Sequence, residues 1–192
     1  KSSAKVVTGN AEAISAENWQ GKSYSAANKV NIADYFEENT QYHYQYTDNY
    51  TGDDSIWSAE YDYTTKATDK FSVILTGDPQ VGASGSSSDY SANDASVARD
   101  AYNWNKTMQQ ALKTCPDASF LLSAGDQINQ SGATKDNDKK TRESEYAGYL
   151  YPSVFRSLPI AATIGNHDMA GSDYSAHFNN PNSEDKLGST AA

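Results

Sequence analysis

Cysteine is nearly absent: Cys115 is the single one in 192 residues, so no internal disulfide can form. No apolar run approaches the roughly 20 residues that a helical membrane span requires. The opening Lys1-Ser2-Ser3-Ala4 has no signal-peptide pattern, and any targeting segment is expected to have been removed. Basic residues are the minority, 15 Lys+Arg against 25 Asp+Glu for a formal net charge of -10, which disfavours bulk nucleic acid or an acidic membrane surface as partner. What is present argues for a folded chain. Hydrophobic residues reach 37% and tyrosine occurs 14 times, a composition outside the disordered class. The Ser/Thr/Asn/Tyr-rich remainder fits a secreted or cell-surface bacterial protein.

Two textures meet near Ala67 to Lys70. Before that point, Tyr42-His43-Tyr44-Gln45-Tyr46 and Trp57 to Thr65 are aromatic and β-branched with rough period-two alternation. Asp48 to Asp54 between them supplies turn residues. These segments read as antiparallel strands of a small sandwich, to which Val6-Val7-Thr8 and Lys29-Val30-Asn31-Ile32 add two short strands. Residues 1–68 are few for a complete sandwich of ~100 residues, so this first domain is expected to be partial.

From residue 69 onward the pattern changes. Phe71 to Thr76, Ser119 to Ala124 and Ile160 to Ile164 are compact apolar runs, as in strands of a parallel sheet buried on both faces. Between the first two, Val97, Ala101, Trp104, Met108, Ala111 and Leu112 share one face of a 3.6-residue period, with Asp94 placed as N-cap and Cys115-Pro116-Asp117 as the stop. That face reads as core packing. A less regular helix carrying Tyr146, Leu150 and Phe155 lies between the second and third runs, limited by Pro152. Ser84 to Ser96 and Gln130 to Lys140 read as polar loops. The order is β-α-β-α-β.

Each apolar run ends in a glycine followed by an oxygen ligand: Gly77-Asp78-Pro79-Gln80, Gly125-Asp126-Gln127-Ile128-Asn129 and Gly165-Asn166-His167-Asp168. In an open parallel sheet the carboxyl ends of the strands share one edge, where ligands bind. Asp78, Asp126 and Asn166 are therefore predicted to converge. The glycines allow sharp turns and leave room beside the backbone. Carboxylate, amide and imidazole donors together suit divalent ions such as Zn, Mn or Fe. A Gly-Asp pair alone is usually just a turn, whereas Gly-Asn-His-Asp after a buried strand, in series with the other two, carries the argument.

These motifs resemble those of the calcineurin-like metallophosphoesterases. The likeness is greatest to purple-acid-phosphatase-like members whose catalytic domain follows a fibronectin-III-like domain. It covers Phe71 to about Asn182, with Tyr42 to Lys66 resembling the closing strands of the preceding domain. The resemblance implies an α/β metallophosphoesterase domain, of which residues 69–192 are the first βαβαβ half. It implies a phosphate-ester substrate and a dinuclear centre: Asp78 binding the first metal, Asp126 bridging both and Asn166 binding the second. His167 would assist at the phosphoryl or leaving-group oxygen, with Asp168 orienting it. Two bound cations would also offset the chain's negative charge for an anionic substrate. Water activated between the ions would then attack phosphorus in line.

This chain departs from that family in three places. Gln80 stands where the first motif commonly has histidine, and its amide oxygen is a weaker, harder ligand. Asn129 and Gln130 stand where the colour-giving tyrosine of purple acid phosphatases is expected, so an iron-tyrosinate centre is not predicted. The family's later Gly-His-x-His motif is missing, since the three histidines are His43, His167 and His177. A further C-terminal segment or a second polypeptide is expected to complete the site. The alternative is a non-catalytic surface or binding module retaining the fold. An aspartyl-phosphate phosphatase is disfavoured, because Asp78-Pro79-Gln80 is not Asp-x-Asp.

His43 reads as structural, His177 as an ordinary loop histidine beside a weaker substrate-pocket reading, and Cys115 as an unreactive thiol. Asn49, Asn105 and Asn129 each begin a short N-glycosylation pattern, discounted at Asn129 because of the adjacent motif. Asn182 to Ala192 reads as an exposed loop open to nicking.

Overall fold

The computed structural model describes residues 4–85 and 93–180. It is a mixed α/β structure, with two small antiparallel sheets and a parallel three-stranded sheet flanked by helices. The side chain of Asp94, expected as an N-cap, and the Asn182 to Ala192 tail lie outside the described residues, as does much of the Ser84 to Ser96 loop.

The first hairpin pairs β1 (Asn10–Glu17) with β2 (Ser23–Lys29), and the second pairs β3 (Gln41–Tyr44) with β4 (Tyr61–Thr64). Antiparallel pairing of the two aromatic segments is as predicted, although regular pairing stops earlier than the alternation does. Val6 to Thr8 and Val30 to Ile32 are not strands. The hairpin forms instead around Asn18 and Gly21: the Asn18 carbonyl accepts from the Gly21 N–H (3.1 Å), Asn18 Oδ1 accepts from the Lys22 N–H (2.9 Å), and Gly21 takes a φ of 73°. That turn chemistry outweighs the weak strand propensity of an Ala-rich segment.

The three apolar runs become β5 (Ser72–Thr76), β6 (Ala118–Ser123) and β7 (Ile160–Ala162), parallel and ordered β5-β6-β7. Between them run α1 (Asn93–Thr114) and α2 (Asp136–Tyr149). The predicted face of α1 is the buried one: Val97, Ala101, Trp104 and Met108 are buried, with Ala111 and Leu112 partly so. Asp136 to Lys140, read as loop, is the first turn of α2. Its polar residues sit where a helix still makes backbone bonds, and Asp138 accepts from the Lys135 N–H at 3.3 Å. Phe155 lies beyond the helix in a 3-10 turn, Ser153–Arg156, after Pro152.

Among the described residues the sheet is covered on one face rather than both. Leu121, in register with Ile74 and Ile160, packs with Met108, Trp104, Tyr146 and Tyr149. On the opposite face Leu75 is 68% exposed and Phe71 60% exposed. Strand order explains this: two successive right-handed crossovers that step in the same direction place both helices on the same side. Among the described residues no helix is long and apolar enough to cross a membrane.

The first hairpin is held to α2. Trp19 Nε1 donates to Thr141 Oγ1 (3.0 Å), the Trp19 N–H donates to Ser144 Oγ (3.2 Å), and Lys140 pairs with Glu17 (3.1 Å). The second touches the turn after α2, where Tyr44 OH donates to the Arg156 carbonyl at 2.6 Å.

Candidate metal centre

The motif residues follow β5 directly, β6 after Ala124 and β7 after Thr163 and Ile164, and because these strands are adjacent and parallel, their three loops line one edge. The first and second loops continue the sheet past the strands. The Gln80 N–H donates to the Asp126 carbonyl (3.0 Å), the Val81 N–H to the Gln127 carbonyl (3.1 Å), and Val81 bridges Ile128 in parallel.

Local backbone is unusual at the predicted ligands. Of the four described non-glycine residues with positive φ, three are Asp78 (48°), Gln80 (36°) and Asp126 (50°). Left-handed conformation is uncommon outside glycine and gathers at functional turns. The glycines serve close packing. A Cβ on Gly125, whose φ is 98°, would lie 2.9 Å from Gly165 Cα, and one on Gly165 would overlap the Asp126 carboxylate and amide nitrogen. Gly77 differs, since a Cβ there would meet only Ala124 Cβ at an ordinary 3.7 Å.

Asp126 is the meeting point. Its Oδ1 accepts from the His167 N–H at 2.9 Å, and its Oδ2 lies 3.4 Å from Gln80 Nε2. Gln80, Asp126 and His167 are thus brought together. Asp78 and Asn166 lie in the first and third loops, exposed, with no hydrogen bond or ion pair to another described residue. His167 Nδ1 bonds the Asn129 carbonyl, which leaves Nε2 as the free ring nitrogen.

Asp168 was expected to orient that imidazole. The structure engages it elsewhere: it is fully buried, its Oδ2 accepts from the Gly165 N–H (2.9 Å) and more distantly the Gln127 N–H (3.4 Å), and its Oδ1 accepts from Tyr146 OH (3.1 Å). The Asn129 carbonyl takes the imidazole because it is the acceptor within reach of Nδ1. Burial pushes the Asp168 carboxyl above the usual carboxylate range, against the downward pull of those hydrogen bonds. Burial also drives the Tyr146 phenol far up, keeping it a neutral donor to Asp168.

Beneath the loops, α2 contributes groups that apolar periodicity does not reveal. Glu145 Oε2 accepts from the N–H groups of Asn129 (3.0 Å) and Gln130 (2.7 Å). Its desolvation raises the carboxyl from its ordinary value to about 8. Asp100 of α1 does the same for the first loop, accepting from the N–H groups of Gly82 (2.9 Å) and Ser84 (3.1 Å). The sequence signal for these groups is Arg142, Glu145, Tyr146 and Tyr149 recurring at helical spacing, a polar and aromatic stripe rather than an aliphatic one.

The remaining histidines lie away from this edge. His43 Nδ1 pairs with Asp62 (2.6 Å) on the exposed second hairpin, and His177, in the one-turn α3 (Tyr174–His177), lies 4.5 Å from the Tyr146 ring centroid and 3.3 Å from Glu143. Cys115 is a half-buried free thiol packed at the end of α1.

The donor set fits part of a metal centre. It supplies two carboxylates, two amides and an imidazole, with the Asp126 carboxylate seated in a cradle that only glycine at 165 permits. Among the described residues no group of three or more His, Cys, Asp and Glu side chains is placed to hold a metal. Comparison with protein-family models, with curated proteins and with solved structures found no match.

Proposed function

We propose that this chain carries the first half of a two-metal phosphoesterase site and acts in hydrolysis of phosphate esters. The observation that supports this reading most is Asp126: a carboxylate on left-handed backbone at the end of a central parallel strand, gripped between the first and third loops. Asp78 and Gln80 would hold one ion and Asn166 the other, with Asp126 between them. Two ions there, drawn from Fe, Zn or Mn, would supply Lewis-acid polarisation of a phosphoryl group.

The chain's own residues have distinct tasks. His167, whose Nδ1–H donates to the Asn129 carbonyl, presents Nε2, which in the imidazolium form would carry the proton given to the leaving-group oxygen. Asp168 and Tyr146 hold the turn that carries it. The exposed Phe71 and Leu75 face, together with the two-carboxylate ligand set, supports a further segment or second polypeptide that completes both sheet packing and metal ligation.

The test is Asp126→Ala in the complete enzyme, isolated with whatever polypeptide accompanies it. Metal content by mass spectrometry should fall and hydrolysis of an aryl phosphate monoester or diester should be lost. Unchanged metal content and activity would remove the assignment. Metal retained by a wild-type protein that hydrolyses neither ester would favour the non-catalytic module.

A further inference from the structure

Arg142 is fully buried in α2, and all five of its N–H donors are used. Nε and Nη2 clasp Asp173 at 2.6 and 2.9 Å, Nη1 donates to the carbonyls of Gln130 and His167 at 2.7 Å each, and Nη2 also donates to the Asp168 carbonyl at 2.7 Å. None of these acceptors belongs to its own helix. They lie in the second loop, the third loop and the turn that enters α3.

The consequence falls on His167. Its N–H is held by Asp126, its carbonyl by Arg142 and its Nδ1 by Asn129, whose own N–H is held by Glu145. Only Nε2 is left for chemistry. A buried guanidinium is expensive to desolvate and is not by itself a strong source of stability. Its planar fork, however, can fix several carbonyls at set angles, which a compact ammonium cannot do.

We propose that Arg142, locked by Asp173, is a positioning residue: it sets the spacing between the second and third loops and so aligns Asp126, Asn166 and His167 for metal binding. The metal part rests on the phosphoesterase reading; the alignment part does not.

The experiment uses Arg142→Lys and Asp173→Asn variants of the complete enzyme, isolated with whatever polypeptide accompanies it, residue-resolved amide exchange in metal-free buffer, and titration with Mn²⁺ alone. Both variants should keep slow exchange at Met108 and Leu121 in the core, while exchange at Gly165 and His167 rises about tenfold or more. Mn²⁺ should bind about ten- to a hundredfold more weakly. Should Arg142→Lys not fold, Asp173→Asn, nearly isosteric, is read by the same criteria. Unchanged exchange at Gly165 and His167, a uniform rise at every amide, or a local rise with Mn²⁺ affinity intact would each overturn the proposal. A wild-type complete enzyme that ignores Mn²⁺ would count against the phosphoesterase reading, and exchange would still decide the positioning role.

Discussion

Gly165 and Asp126 are packed so closely that a Cβ on the glycine would overlap both the carboxylate and the amide nitrogen of the aspartate. The third loop can therefore lie against the second only because residue 165 has no side chain, and that approach lets the His167 N–H reach Asp126 Oδ1. Gly165→Ala should separate the two loops and destabilise the fold by about 3 kcal/mol, at the upper end of ordinary overpacking. Urea denaturation measures it; a loss under about 1 kcal/mol would mean the loops have slack that this packing denies.

Glu145 predicts a pH dependence. Its carboxyl is pushed up to about 8 by burial, so the folded state binds a proton more readily than the unfolded one. The sign follows: its stabilising contribution is complete below the ordinary carboxylate range near 4.5 and is lost as pH rises through about 8. Melting temperature should fall across that interval in the wild type. Glu145→Gln, neutral throughout and still able to accept from Asn129 and Gln130, should flatten the profile. Parallel profiles in the two proteins would contradict the assignment.

Tyr146→Phe removes one donor from a fully buried carboxylate while leaving the ring packed among Trp104, Tyr149 and Phe178. Leaving Asp168 Oδ1 short of a partner should cost about 1–3 kcal/mol. Because the lost bond favours the ionised carboxylate, the Asp168 carboxyl should titrate higher still in the variant. Carboxyl carbon NMR reads that shift directly, and a value unchanged from wild type would count against the bond.

Trp19 ties the first hairpin to α2 through Thr141 and Ser144. Trp19→Ala should therefore speed amide exchange in β1 and β2 first, with an overall loss of about 2 kcal/mol for a half-buried indole. Equal acceleration in β6 would show instead that the hairpin belongs to the central folding unit.

What could be read without coordinates was local. The α1 stripe from Val97 to Leu112 and the three apolar runs each lie within a short window, where side-chain periodicity reports burial directly. The motif glycines were legible because they come within three residues of the strand ends and so lie at the shared edge. Arg142 and Glu145 were not legible. Their hydrogen-bond partners lie 12 to 31 residues away along the chain, and nothing in a helical window says that a polar side chain points inward.

The amino-acid order alone determined that three strands lead into loops carrying Asp78, Asp126 and Asn166 and that helices separate them, since these depend on propensity and spacing over a few turns of chain. Tertiary structure alone decided that both helices cover one face and leave Leu75 in solvent, because crossover handedness is a property of the assembled sheet. It also decided that Asp168 serves backbone amides and Asn129 holds the imidazole, because which acceptor wins depends on distances that exist only once the loops have met.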